Sequence, residues 1–218
     1  MTDAFDAHRV HAMFVAAAEA MLASIDRLTE ADQKVGDGDH GIGMKRGFTA
    51  ALDWLRKTDA ALPADVFKGV GNAVMAQTGG ASGAIFGTLF RAGAGVLGDA
   101  DRLDAEKFAA FLEGGLVAVE KRGGAAPGGK TLIDALEPAA RAARATVGRG
   151  LSASLAAAHA AALAGVEATR SMIATTGKAR TLGERSLGHP DPGAISLSIV
   201  LAAFDTYAEF YRNHMILE

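Results

Sequence analysis

The chain has 218 residues, enough for one sizeable domain, and length alone does not require a second. Half of the residues are hydrophobic and the net charge is −3, which excludes global disorder and the basic stripe of a general nucleic-acid binder. There is no cysteine, so disulfides, thiolate zinc sites and a cysteine nucleophile are excluded.

The opening MTDAFDAHRV does not show the basic-then-apolar pattern of a signal peptide. The longest nearly apolar runs, around Leu155–Val166 and Ala194–Phe204, fall short of the ~20 residues of a membrane span. The expectation is a soluble cytoplasmic protein that engages neither membrane nor nucleic acid. Alanine outnumbers valine and isoleucine together more than twofold. Alanine favours helix and β-branched residues favour strand, so the expected class is all-α.

Val10, Met13, Phe14, Ala17, Met21, Ile25 and Leu28 recur at steps of three and four, predicting a first helix to about Thr29. A glycine-rich loop follows. Met44, Phe48, Leu52 and Leu55 mark a second helix that ends before Pro63, and Val66, Val70 and Val74 mark a third. TGGASG (Thr78–Gly83) breaks the chain before a fourth, along Ile85, Leu89, Ala92 and Val96. Asp104 caps a fifth, with Phe108, Leu112 and Val119 on one face. After RGGAAPGGKT (Arg122–Thr131), Thr131 caps a sixth helix to about Val147, with Asp134 at the reciprocal capping-box position and Pro138 near its start. A seventh begins at Ser152 or Ser154 and stops at Gly177, and Ile195, Ile199, Ala202, Phe204 and Tyr207 carry the last. No internal repeat or long linker divides this set, so residues 1–218 are expected to form a single domain of about eight helices.

Four breakers are glycine-rich and polar: residues 36–43, 78–83, 122–131 and 177–193. They follow helices one, three, five and seven. In an antiparallel up-down arrangement, alternate connections fall on the same end. The four should therefore share one rim of a helical bundle or barrel and build one composite site.

The chemistry concentrates there. Asp32, Asp37 and Asp39 form an acidic cluster, and Gly38 lets the chain bend between the last two. Crowded carboxylates repel by roughly 4 kcal/mol per pair at 4 Å with an effective dielectric near 20. A hard divalent cation removes that repulsion, and oxygen-only ligands suit magnesium. A solvated acidic turn is the bland alternative. An EF-hand loop starting at Asp37 fails, because its sixth and twelfth positions hold Ile42 and Phe48 rather than glycine and glutamate. His40 is placed for a hydrogen bond to a phosphate or for metal ligation. GGASG offers backbone N–H groups at a helix start, which suit an anion. Lys178, Arg180 and Arg185 give the 177–193 loop positive charge, and Asp191 either caps the last helix or meets a base or ribose. His159, in an alanine-rich helix, reads as structural.

Gly124–Thr131 fits the P-loop expression G-x-x-x-x-G-K-[ST], and SIVLAAFD (Ser198–Asp205) imitates a Walker-B strand. A P-loop NTPase is therefore a rival function. It needs a strand directly before the loop and a parallel sheet around it, and the chain offers few β-branched runs to build one.

GDGDHG, GGASG, GGKT before a leucine-containing helix, and LGERSLGHPDPGA occur in this order over nearly the whole chain. Together they resemble the nucleotide-binding L subunit of dihydroxyacetone kinase, the DhaL family. The resemblance implies an eight-helix barrel with ADP or ATP at one rim. It implies two magnesium ions on Asp32, Asp37 and Asp39, the residues, with His40, where catalysis is expected. It carries nucleotide contacts to His40, Gly41, Ile42, Gly43, Ala81, Ser82, Gly123, Thr131, Leu132, Lys178, Asp191, Pro192 and Gly193. Two positions depart from the family pattern. Gly43 stands where asparagine or threonine is expected, and Lys178 where arginine is usual, a point charge in place of a bidentate fork.

The resemblance further implies a partner, a separate K-type subunit that holds a ketose such as dihydroxyacetone or erythrulose. The phosphoryl donor is ATP, or a phosphocarrier protein that recharges a retained ADP. A homodimer and a non-enzymatic ADP/ATP-binding regulatory subunit are further readings that the sequence leaves open.

Overall fold

The computed structural model describes residues 4–215. Nine α-helices are present among them: α1 (Ala7–Ala23), α2 (Ile25–Val35), α3 (His40–Lys57), α4 (Pro63–Thr78), α5 (Gly80–Leu97), α6 (Ala105–Gly123), α7 (Ile133–Thr146), α8 (Leu151–Ala168) and α9 (Pro192–Met215). Short 3-10 stretches occupy Val147–Arg149, Thr169–Ser171 and Lys178–Ser186. Extended pairing among the described residues is confined to one isolated bridge between Phe5 and Leu103. The all-α expectation holds.

Chain neighbours from α3 to α9 pack side by side, and α1 packs on both α3 and α9. The eight long helices thus close into a ring of antiparallel staves. The single long first helix of the sequence reading is interrupted at Ser24, whose hydroxyl bonds back to the Ala20 carbonyl at 2.9 Å. A serine that bonds its own turn bends a helix. The chain then continues as α2, which leaves α1 and rests against α3 and α9 at one end. Counting α1 and α2 as one broken helix gives the expected eight.

The ring is filled, not hollow. Phe14 on α1 meets Phe67 on α4, Phe90 on α5 and Phe204 on α9 edge-on, with centroids 4.8, 5.4 and 5.0 Å apart. Such buried edge-to-face clusters add packing geometry to area burial. Pro138 lies inside α7 and supplies no N–H to the Asp134 carbonyl one turn back. Gly165 of α8 packs directly on that carbonyl, and a Cβ there would approach it to 2.4 Å.

The segments Leu151–Ser171 and Pro192–Asn213 are long and apolar enough to cross a membrane by length and composition alone, longer than the apolar runs picked out from sequence. Both are staves of the closed ring. Leu151, Leu155, Ala158, Ala162 and Val166 of α8 face its interior.

The antiparallel order puts the 36–39, 79, 124–132 and 172–191 connections at one rim. At the opposite rim, the Phe5–Leu103 bridge ties the start of α1 to the α5–α6 connection. Phe5 there lies edge-on to Tyr207 and Tyr211 of α9.

Candidate functional site

A cavity of about 410 Å³ opens at the first rim, a size suited to a small-molecule ligand. All four glycine-rich breakers contribute to its wall. The four breakers, alternate in the chain, thus share one rim.

Asp32, Asp37 and Asp39 come together at its mouth, each with one carboxylate oxygen within 4.8 Å of the others'. Asp32 sits on the last turn of α2, and its carboxylate accepts from the His40 backbone N–H at 3.2 Å. Gly36 makes room for it, since a Cβ there would lie 2.6 Å from the Asp32 carboxylate. Gly38, at φ +79°, turns the chain between the other two aspartates, a conformation that favours glycine. Asp37 and Asp39 remain 53% and 69% exposed. Both pair with Lys178, across the rim: its Nζ donates to Asp37, and to Asp39 at 2.8 Å. The hydrogen bond from Lys178 holds the Asp37 carboxyl below the usual range, and the two aspartates push the ammonium above its ordinary value. An all-oxygen anionic donor set that already gathers a cation fits a hard divalent ion such as magnesium.

His40 opens α3 and is 8% exposed. Its Nδ1 meets Ser82 Oγ at 2.9 Å and its Nε2 meets Ser196 Oγ at 2.8 Å. Burial pushes the imidazole down, against the pull of Asp32 and Asp39, which favours the neutral ring. One ring nitrogen therefore donates and the other accepts. Both are committed to hydroxyls, so the ring lines the cavity and also orients Ser82, in the first turn of α5.

The 124–132 loop is built differently. Gly124 ends α6 in the left-handed conformation, and α7 starts at Ile133. Asp134 is buried and accepts from Gly128 N and, at 2.7 Å, from Thr131 N. The N-cap of α7 is Leu132 rather than the expected Thr131, but Thr131 N still bonds to Asp134 as the reciprocal half of the box would, and Thr131 Oγ1 accepts from Ile133 N at 3.2 Å. Lys130 is 3% exposed and has φ +59°, the one positive value off glycine among the described residues. Its Nζ donates to the Thr169 carbonyl at 2.6 Å and to the His189 carbonyl. Burial lowers its pKa, opposed by Asp191 and Asp134. A P-loop needs a strand before the loop and a lysine free to reach phosphate. Here a helix precedes the loop, the lysine is spent on carbonyls, and the Walker-B lookalike lies within α9. The geometry speaks against the P-loop reading.

Asp191 caps α9, accepting from Ala194 N at 2.7 Å, and its own N–H donates to Thr169 Oγ1. It also lines the cavity. Burial raises its pKa to about 7, in spite of the Ala194 hydrogen bond.

Of the residues singled out from sequence, Asp32, Asp39, His40, Gly43, Ala81, Ser82, Gly123, Thr131, Leu132, Lys178, Asp191, Pro192 and Gly193 line the cavity. Asp37 joins through the carboxylate cluster. Gly41 and Ile42 do not: Gly41 packs on Thr29 of α2, and Ile42 is 53% exposed on the outer side of α3. Arg46, Thr78 and Lys130 line it and were not singled out as site residues. Arg46 donates to the Thr78 carbonyl at 3.0 Å, beside the Gly79 turn. It lies on the α3 face of Asp39 and Gly43, so helical spacing was the signal for it.

Residues 34–206 match the DAK2 domain. This chain belongs to the DAK2 domain family. It is 38% identical over 176 residues to the ADP-binding subunit DhaL of PEP-dependent dihydroxyacetone kinase 1 from Listeria innocua, covering 81% of this chain and 84% of that one. It is 40% identical over 203 residues to L-erythrulose kinase from Pectobacterium atrosepticum, covering 90% of this chain but 34% of that protein. Among solved structures, dihydroxyacetone kinase from C. freundii in complex with AMP-PNP and Mg2+ superposes with a TM-score of 0.70 at 29% identity, over 90% of this chain and 33% of that one. The chain thus spans most of a DhaL subunit and about a third of the longer kinases. By family, this DAK2-domain chain is a phosphotransferase subunit.

Proposed function

We propose that the chain is the nucleotide-binding, phosphoryl-transfer subunit of a ketose kinase. It holds ADP or ATP in the rim cavity, with Mg2+ on Asp32, Asp37 and Asp39, and passes the terminal phosphoryl group to a ketose on a separate K-type subunit. The observation that carries this reading is the convergence of three carboxylates at the mouth of a cavity walled by four polar loops. The DhaL relative named as an ADP-binding subunit and the C. freundii structure with AMP-PNP and Mg2+ support it.

Phosphoryl transfer asks little covalent chemistry of the protein; positioning and charge stabilisation dominate. Mg2+, when bound, neutralises the phosphate charge. Ser82, fixed by His40, presents a hydroxyl and the first-turn amides of α5 to an anion. Lys178 supplies a mobile positive charge. Ile85, Phe86, Val119, Leu132 and Ile133 give an apolar wall for the base, next to the polar Thr131 and Asp191–Gly193 edge. With glycine at position 43, no side chain reaches the phosphates there, which leaves more of the hold to Ser82 and Lys178.

The relatives' names offer dihydroxyacetone or erythrulose as the ketose, and specificity belongs to the K-type partner. We place the reaction in the cytoplasm, with ATP or a phosphocarrier as donor. Calorimetric titration with ADP should show binding that requires Mg2+, while the purified chain phosphorylates no triose until a K-type subunit is added. Robust triose phosphorylation by the chain alone, or Mg2+-independent ADP binding, overturns the proposal.

A further inference from the structure

We propose that Lys178 is a latch: in the metal-free protein its ammonium stands in for the cation among the carboxylates and pins residues 176–185 across the cavity mouth. Metal binding and release of that segment are then one event. This rests on the magnesium–nucleotide reading of the same site.

Lys178 bridges Asp37 and Asp39, 141 and 139 residues away in the chain. A hard cation held at about 2.0–2.1 Å by an oxygen of each carboxylate competes with the ammonium for Asp37 and Asp39, the two groups the ammonium pairs with. An ammonium and a divalent ion repel one another across one carboxylate cluster, so metal binding favours departure of Lys178.

The segment is built to move when the ion pairs break. Among the described residues, those two pairs are its only side-chain bonds to the rest of the protein between Thr176 and Arg185. Within it, Thr181 Oγ1 donates to the Lys178 carbonyl, and at its far end the buried Ser186 Oγ donates to the Gly183 carbonyl. Gly177 at φ +64° and Gly183 at φ +56° flank the part that carries Lys178, and Gly183 interrupts the 3-10 stretch. Anchors lie on either side. Thr175 N donates to the Gly129 carbonyl, Ala174 N to Ser186 Oγ, and Gly188 N to the Arg170 carbonyl. Thr176, Gly177, Lys178 and Ala179 line the cavity, so lifting this stretch widens the entrance. The pairs are exposed, and exposed pairs are weak. They hold the segment against solvent yet give way to a divalent ion. A lysine suits this exchange, as a compact charge on a flexible stem.

The test uses the full chain without nucleotide and Mn2+ alone as the probe, followed by the electron paramagnetic resonance signal of the free ion. With about nine-tenths of molecules latched, Lys178→Met should bind Mn2+ about tenfold more tightly than wild type. Lys178→Arg, which keeps the charge, should stay near wild type. Limited trypsin digestion gives a second readout at the exposed Arg180 and Arg185. Mn2+ should accelerate cleavage there in wild type, whereas Lys178→Met should be cut rapidly with or without the ion. Equal Mn2+ affinity in wild type and Lys178→Met, or cleavage indifferent to Mn2+ in wild type, overturns the latch. Asp37→Ala separates the two readings. If it loses Mn2+ while Lys178→Met matches wild type, only the latch fails. If it binds Mn2+ as well as wild type does, the carboxylate site fails and the latch with it.

Discussion

The acidic loop at residues 36–39 and the loop at 124–131 are both rich in glycine, both carry charge and both wall the same cavity. They treat charge in opposite ways. The first leaves Asp37 and Asp39 largely exposed, with a movable lysine as their partner. The second buries Lys130 and Asp134 and satisfies them with backbone carbonyls and N–H groups. Charge left accessible at a cavity mouth is available to a ligand. Charge buried among main-chain partners braces the fold and is costly to disturb.

That contrast can be broken in four ways. Asp37→Ala should lower phosphoryl transfer with a K-type subunit by about 10³-fold, roughly 4 kcal/mol, with unfolding stability unchanged within about 0.5 kcal/mol. A coupled transfer assay beside urea denaturation measures both. Lys130→Met should do the reverse. It strips a charged donor from two carbonyls and should cost about 3 kcal/mol of stability in urea, with ADP affinity falling only as far as the fold loosens. If it instead abolished ADP binding at full stability, the P-loop lookalike would be a true phosphate loop and the contrast would collapse.

Asp134→Ala removes the acceptor of two loop N–H groups and should cost about 2 kcal/mol, read from the urea midpoint. The last test concerns Asp191 and is read as a slope against pH. Its pKa of about 7 in the folded protein stands above the ~3.9 of an unfolded chain, so the folded state keeps the proton across that interval. Stability from this group is therefore present below about pH 4 and is lost as the pH rises through 7. Asp191→Asn should flatten that part of a plot of urea midpoint against pH; an unchanged slope would show that Asp191 ionises freely.

Much of this molecule was legible in the chain. Steps of three and four located the staves, and the breakers marked the rim, because helical periodicity and turn chemistry are local properties. The end of the first helix was less legible, although Leu28 and Val35 continue its apolar face and Glu30 pairs with Lys34 on the outside. Ser24 gives no strong local signal for the bend. The P-loop expression at Gly124–Thr131 stayed a rival on paper because it is also the sequence of a glycine-rich loop between helices, and letters do not say where the Lys130 ammonium goes.

By itself, then, the sequence determined the helical class, the closure of alternate connections onto one rim, and the three carboxylates of that rim. These follow from composition, spacing and parity. Only the tertiary structure decided which charges stay accessible. It set His40 between Ser82 and Ser196, hid Lys130 under the Thr169 and His189 carbonyls, and brought Lys178 to aspartates some 140 residues away. Burial and partnership are set by distant segments meeting in space, and no local pattern carries that information.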